Sequence, residues 1–183
     1  MKTFFVATSV AFFLTAIPAF GQTGHAEISK KDSWMTYRLT HPLHEIEATS
    51  REVQYRLDVD PSTKAIRSVS ADVDVTTFDS GNSNRDSHAM EVIDAIDYPE
   101  ASFVSSSVTT VGDSLRISGR MTFHGVTQDI VMMAKPRWFG DSLEVTGGFQ
   151  LSLTAFKIER PALLMIPVED ALRFTFAAVF GLH

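Results

Sequence analysis

The sequence contains no cysteine among its 183 residues. Disulfide bonds, thiol nucleophiles and thiolate metal ligands are therefore excluded together, and the folded chain must depend on its hydrophobic core. Recognisable catalytic motifs are also missing: there is no Gly-x-Ser-x-Gly elbow, no His-Glu-x-x-His pair and no glycine loop for phosphates or dinucleotides. We expect neither an enzyme nor a cofactor.

Positive charge is scarce as well. Without Lys2, which lies in an N-terminal targeting pattern, the 16 basic residues become 15 against 22 acidic ones, a net charge of −7. Such a balance opposes electrostatic binding to DNA, RNA or an anionic membrane surface. We therefore expect no nucleic-acid partner.

The chain begins with an apolar run that is too short for a membrane anchor. Lys2 precedes uncharged apolar residues 4–16, and Ala19 and Gly21 supply small residues at −3 and −1 of a cut before Gln22. A retained anchor is the alternative, but a spanning helix needs about 20 apolar residues. Residues 1–21 are predicted to be a signal peptide. The mature protein, residues 22–183, is then periplasmic or secreted, forms one domain and has no membrane span.

Alternation of apolar and polar residues runs through most of the mature chain and predicts half-buried strands. The apolar sets are Val53, Tyr55, Leu57 and Val59; Leu115, Ile117, Met121 and Phe123; Leu143, Val145, Phe149, Leu151 and Leu153; and Leu172, Phe174, Phe176, Ala178 and Phe180. Gly147-Gly148 predicts a bulge or bend. Residues 22–32 are polar and are predicted to be a loose lead-in. The pattern predicts an all-β antiparallel sandwich or barrel, and a barrel is favoured because closure removes exposed edges.

The period changes in one segment only. Ala89, Val92, Ile93 and Ile96 stand at i, i+3, i+4 and i+7, the spacing of one apolar helix stripe. We expect a short helix around 86–96, with Asp86 as its N-cap.

Two blocks of sequence around this helix resemble the YceI-like family. The first block is Asp79-Ser80-Gly81-Asn82, Arg85-Asp86, His88, Tyr98-Pro99 and Ser102-Phe103, and the second runs from Gly119-Arg120-Met121-Thr122-Phe123 through His124-Gly125-Val126-Thr127. They are similar to the family's D-T-G-N, R-D-x-H, Y-P, T/S-F and G-x-L-T-h-H-G-V-T. The resemblance implies a lipocalin-like antiparallel β-barrel of about eight strands, usually periplasmic, that holds polyisoprenoids or other long amphiphiles.

An eight-stranded barrel either fills its interior with side chains or encloses a small ligand, and the residues alone leave both open. The resemblance favours a cavity for an isoprenoid or fatty lipid; the alternative is an exported stress-response or interaction module with a filled barrel. Whether the protein forms a homodimer stays open. The predicted ligand-binding residues are Val73, Val75, Phe103, Ile117, Met121, Phe123, Phe149, Leu151, Phe174 and Phe176.

Two further features bear on function. His41 with His44, and His88 with His124, invite a metal interpretation, but no further ligand spacing accompanies them, and we expect no metal site. Residues 163–166 read Leu-Leu-Met-Ile, an apolar loop. It is predicted to be functional if exposed, and a plug if it folds over one barrel end.

Overall fold

The computed structural model describes residues 24–60 and 62–182, which form a ten-stranded antiparallel sheet, a separate two-stranded hairpin and one α-helix. The predicted signal peptide lies outside the described residues. The strands are β1 (Gly24–Ile28), β2 (Trp34–His41), β3 (His44–Ser50), β4 (Gln54–Asp60), β5 (Ala65–Asp74), β6 (Glu100–Val111), β7 (Ser114–Phe123), β8 (Val126–Phe139), β9 (Ser142–Ser152), β10 (Ala162–Leu163), β11 (Ile166–Pro167) and β12 (Ala171–Leu182). The helix α1 spans Ser83–Val92, and Val75–Thr77 and Thr154–Phe156 form 3-10 turns.

The last strand closes the sheet. β12 pairs with β9 along one edge, and with β2 and then β1 along the other. Because β1 also pairs with β4, the strands β1-β4-β5-β6-β7-β8-β9-β12 form a ring of eight. The predicted antiparallel barrel of about eight strands is confirmed, and the β2–β3 hairpin extends its wall beside β12.

The expectation of a loose lead-in over residues 22–32 is wrong for β1. Ala26 pairs with Leu182 and Ile28 with Phe180, and both β1 side chains pack against the core. A short polar sequence can complete a ring in this way because the pairing uses backbone groups, which every residue here supplies.

The pairing register divides the connections between two barrel ends. At one end, here called the loop end, residues 42–43, 75–99, 124–125 and 153–170 join the strands. At the opposite end, the turn end, β6 and β7 are joined by Gly112-Asp113, and β8 and β9 by Gly140-Asp141. All the long connections therefore lie at the loop end.

The predicted bulge at Gly147-Gly148 is absent. β9 pairs with β12 in unbroken register from Ser142 to Ser152. A Cβ atom on Gly147 would lie 2.8 Å from Cζ of Phe176 and 2.7 Å from the Met133 carbonyl oxygen. Glycine at this position makes room for the Phe176 ring.

Helix α1 begins earlier than predicted, and Asp86 is not its N-cap. Asn82 is the cap: its side-chain oxygen accepts hydrogen bonds from the N–H groups of Asn84 (3.1 Å) and Arg85 (3.2 Å). Asp86 lies within the helix, where its carboxylate accepts hydrogen bonds from the backbone N–H and the hydroxyl of Ser80. The carboxylate therefore ties the preceding loop to the first turn.

The helix also ends earlier than predicted, at Val92, and Asp94 turns the chain with a φ of 47°. Ile96 is consequently 97% exposed, so the apolar stripe stops at Ile93. The expected range of 86–96 is replaced by Ser83–Val92.

We expect Asn82→Ala to lower the free energy of unfolding by about 0.5–2 kcal/mol, because two helix N–H groups lose their acceptor. Urea denaturation measures the change. Ser83→Ala is the matched control, since the Ser83 side chain makes neither capping bond. Equal losses in the two variants would contradict the capping role of Asn82.

Candidate ligand-binding cavity

An apolar cavity of about 200 Å³ lies inside the barrel. Its wall is formed by inward-facing residues from strands around the barrel and by one side of α1. Val59, Leu115 and Leu143 are buried near the turn end but do not border the cavity. These three side chains therefore pack outside the cavity wall, although Phe180, the register partner of Leu143, borders the cavity.

Every residue predicted to bind ligand borders this cavity. The ten are Val73, Val75, Phe103, Ile117, Met121, Phe123, Phe149, Leu151, Phe174 and Phe176. They come from five strands and the 3-10 turn after β5, and alternation along each strand directs them to the same interior. That they contact a ligand stays a prediction.

Aromatic rings form a continuous part of the wall. Phe149 and Phe174 are register partners on β9 and β12, and their rings stack with centroids 4.7 Å apart and planes 8° apart. Tyr37, the partner of Phe174 on β2, lies edge-on at 6.4 Å, and Phe176 lies 6.2 Å from Tyr55. Such pairs restrain one another and offer an apolar ligand a flat surface.

The sequence interpretation missed several wall residues. Tyr37 and Phe78, 5.4 Å apart between ring centroids, both border the cavity, as do Met90 of α1 and Ile93 directly after it. The apolar stripe of the helix was the available signal for α1. Burial raises the pKa of the Tyr37 phenol, and the nearby Asp86 carboxylate adds to the effect.

Polar groups border the cavity beside α1. The Arg85 guanidinium donates to the Ser80 hydroxyl (2.8 Å) and the Ser80 carbonyl (2.7 Å), which fixes its position. His88 also borders the cavity, although 68% of its side chain is exposed. The cavity therefore reaches the molecular surface at this point.

His124 holds three loop-end segments together. Its Nδ1 lies 2.9 Å from the Phe156 carbonyl oxygen and its Nε2 lies 3.3 Å from Oδ2 of Asp94, while the Tyr98 ring packs at 4.8 Å. The β7–β8 turn, the segment after α1 and the 3-10 turn after β9 therefore meet at one imidazole.

The histidines have partners other than metal ions. Nδ1 of His41 accepts the Leu43 N–H, so its Nε2 donates to the Ile166 carbonyl oxygen at 2.9 Å. His88 lies beside Glu91. Among residues 24–60 and 62–182, no group of three or more His, Cys, Asp or Glu side chains is placed to hold a metal ion.

This arrangement, an antiparallel β-barrel around an apolar cavity, defines the class of barrels that are built to enclose a small molecule. The YceI-like domain model matches residues 23–180. The chain belongs to the YceI-like family. In the part that the structure describes, no helix is long and apolar enough to cross a membrane.

Relatives agree with this assignment. A UPF0312 protein of Pseudomonas putida is 27% identical over 146 residues, which cover 75% of this chain and 73% of the relative. Protein YceI of Escherichia coli O157:H7 is 28% identical over 112 residues, covering 60% of this chain and 59% of the relative.

Solved structures share the fold. Burkholderia cenocepacia BcnA matches with a TM-score of 0.76 at 20% identity, over 84% of this chain and 99% of that chain. A polyisoprenoid-binding domain from Saccharophagus degradans matches with a TM-score of 0.67 at 9% identity, over 88% of this chain and 100% of that domain.

Asp170 organises the connection that follows β9. Its carboxylate accepts hydrogen bonds from the Ser152 hydroxyl (2.5 Å) and the Thr154 N–H (2.9 Å). These bonds fix the start of the 3-10 turn directly after Leu153, which borders the cavity. The Ser152 hydroxyl, followed by the Thr154 N–H, lowers the pKa of Asp170 from its usual range.

This lowered pKa makes the free energy of unfolding depend on pH in the acidic range. A carboxyl with a lower pKa in the folded state stabilises the fold above its unfolded pKa, about 3.9, and stops doing so as the pH falls through the folded value. We therefore expect the free energy of unfolding to fall less steeply below about pH 4 in Asp170→Asn than in the wild type. Urea denaturation across this range measures the slope. Ser152→Ala should be intermediate, and parallel curves for all three proteins would refute the assignment.

Proposed function

We propose that this protein is an exported, non-catalytic binding protein that holds a polyisoprenoid or another long-chain lipid in its barrel. The observation that supports this most directly is the apolar cavity, whose wall is formed by aliphatic and aromatic side chains. Each buried CH₂ group contributes roughly 0.8 kcal/mol, so ten of them contribute about 8 kcal/mol before the costs of association.

The position of the polar groups supports one orientation of such a lipid. The aromatic rings of Phe149, Phe174 and Phe176 surround the interior, while Arg85 and His88 stand where the cavity reaches the surface. A tail in the interior and a polar head group beside α1 would match this distribution, because charged groups stay solvated there and only apolar atoms are desolvated.

Family membership supports the same proposal. The Saccharophagus degradans domain that shares the fold is a polyisoprenoid-binding domain. At 9% identity that likeness concerns the fold, so the choice of ligand for this chain depends on its own cavity wall.

The cavity is tested by Leu151→Trp. Leu151 is buried and borders the cavity, so a larger side chain has unoccupied space to enter. We expect affinity for a fluorescent fatty acid to fall by about tenfold or more, with a change in unfolding free energy below about 1 kcal/mol. Fluorescence titration and urea denaturation measure the two quantities.

Gln150→Trp is the matched control, because the neighbouring side chain is exposed on the outer face of β9. It should leave both quantities unchanged. If the interior were filled, Leu151→Trp would instead cost about 1–3 kcal/mol through overpacking. That result, from a wild type that binds no lipid, would favour the interaction module with a filled barrel.

Export is tested separately. The apolar run after Lys2 and the small residues Ala19 and Gly21 predict cleavage before Gln22. Fractionation of cells that express the full chain should recover a periplasmic or secreted product whose N-terminal sequence begins at or near Gln22. A full-length cytoplasmic product would exclude export.

A further inference from the structure

The hairpin of β10 and β11 presents four large apolar side chains to solvent. Leu163 pairs with Ile166, and the two-residue turn between them is Leu164-Met165. Their exposed fractions are 47% for Leu163, 73% for Leu164, 95% for Met165 and 41% for Ile166. We call residues 163–166 the tip. The sequence prediction of a plug does not fit this exposure, because a plug would bury these side chains.

The backbone of the tip is unfavourable for its own residues. Leu164 has a φ of 53° and Met165 a φ of 65°. Positive φ at both central positions is the geometry of a type I′ turn, which strongly prefers Asn-Gly. Large side chains at these two positions are strained. The chain therefore keeps exposed apolar side chains where both solvent and backbone disfavour them, which is the kind of outlier that points to a role.

The surrounding contacts hold the tip in place at the loop end. His41 is 3% exposed; it donates to the Ile166 carbonyl oxygen and accepts the N–H of Leu43, which is itself 61% exposed. The Arg160 guanidinium donates to the Val168 carbonyl oxygen, and the Glu169 N–H donates to the Thr40 carbonyl oxygen at 2.8 Å. The bonds of Ile166 and Glu169 attach the β11 side of the hairpin to β2, and the bond of Arg160 ties the β10 side to the β11 side.

The same connection also reaches the cavity. Ile158 and Pro161, which precede β10, border the cavity, and the Val168 N–H after β11 bonds to the Pro161 carbonyl oxygen at 2.9 Å. A surface that receives the tip would therefore lie beside the loop end, where the cavity reaches solvent.

We propose that the tip inserts into the surface of an uncharged phospholipid bilayer, so that the barrel exchanges its lipid there. This inference rests on the proposed function. The size of the tip favours a bilayer, because a stable protein interface needs about 20–30 residues on each side, whereas interfacial insertion needs only a few apolar side chains at a depth of about 5–10 Å.

Charge and hydrogen bonding agree with a neutral bilayer. Glu159 and Arg160 precede the hairpin, and Glu169 pairs with Arg173 after it, at 2.8 Å. Neighbouring charges thus balance, and the chain as a whole is acidic, so attraction to anionic lipid is not expected. The tip itself forms a paired hairpin, which limits the number of backbone groups left unsatisfied on entering an apolar phase.

The test uses phosphatidylcholine vesicles and flotation of the mature protein. We expect the wild type to float with the vesicles at low and at high salt. The double variant Leu164→Asn with Met165→Gly should bind vesicles at least about tenfold more weakly. It should fold at least as stably as the wild type, because Asn-Gly suits the type I′ turn.

The matched control removes two exposed apolar side chains from the turn end, with Val111→Asn and Phe139→Asn. These residues are 53% and 54% exposed, and the control should float like the wild type. A wild type that does not float, a tip variant that floats equally well, or binding that requires anionic lipid and disappears with salt would each overturn the proposal.

A second measurement separates this inference from the proposed function. Affinity for a fluorescent fatty acid in solution, without vesicles, should be the same in the tip variant as in the wild type within about twofold. Loss of that affinity would show that the tip covers the cavity and would overturn docking. Tip-dependent flotation of a wild type that binds no fatty acid would leave docking intact and remove the lipid-binding function.

Discussion

The structure depends on the two-sided pairing of β12. One edge of this strand completes the sheet with β9, and the other joins β2 and β1, which returns the sheet to β4. Closure pairs part of both edges and turns alternate side chains toward one interior. Without closure, Phe149 and Phe174 would lie on the solvent-exposed face of an open sheet, and there would be no cavity.

The direction of side chains was predictable because it depends on parity within each strand. All ten residues selected from alternation and from the family resemblance border the cavity, including Phe103 and Met121, which are register partners on β6 and β7. In an antiparallel barrel, a residue on the apolar side of its strand has only the interior to face. The alternation within each strand carries that information. The choice between a sandwich and a closed barrel came from the family motifs.

Other features depend on contacts between distant residues, which local patterns do not encode. Asn82 and Asp86 are both good N-cap residues, and the structure uses Asn82 because Asp86 bonds to Ser80. The strand β1 was missed because it is only five residues long and its partners β12 and β4 lie far along the chain, so the alternation of Ala26, Glu27 and Ile28 was too short to identify it. The volume left inside likewise depends on how rings from separate strands stack, as Phe149 and Phe174 do.

The position of the cavity makes the two ends of the barrel different. Val59, Leu115 and Leu143 are buried near the turn end and lie outside the cavity wall, whereas Arg85 and the exposed His88 border the cavity beside α1. Under the proposed function, a lipid that enters beside α1 with its tail first would leave through the same opening with its head group first. For such a lipid, loading and unloading beside α1 would be successive events, and the rate of each would depend on how often a donor or an acceptor reaches that side of the barrel.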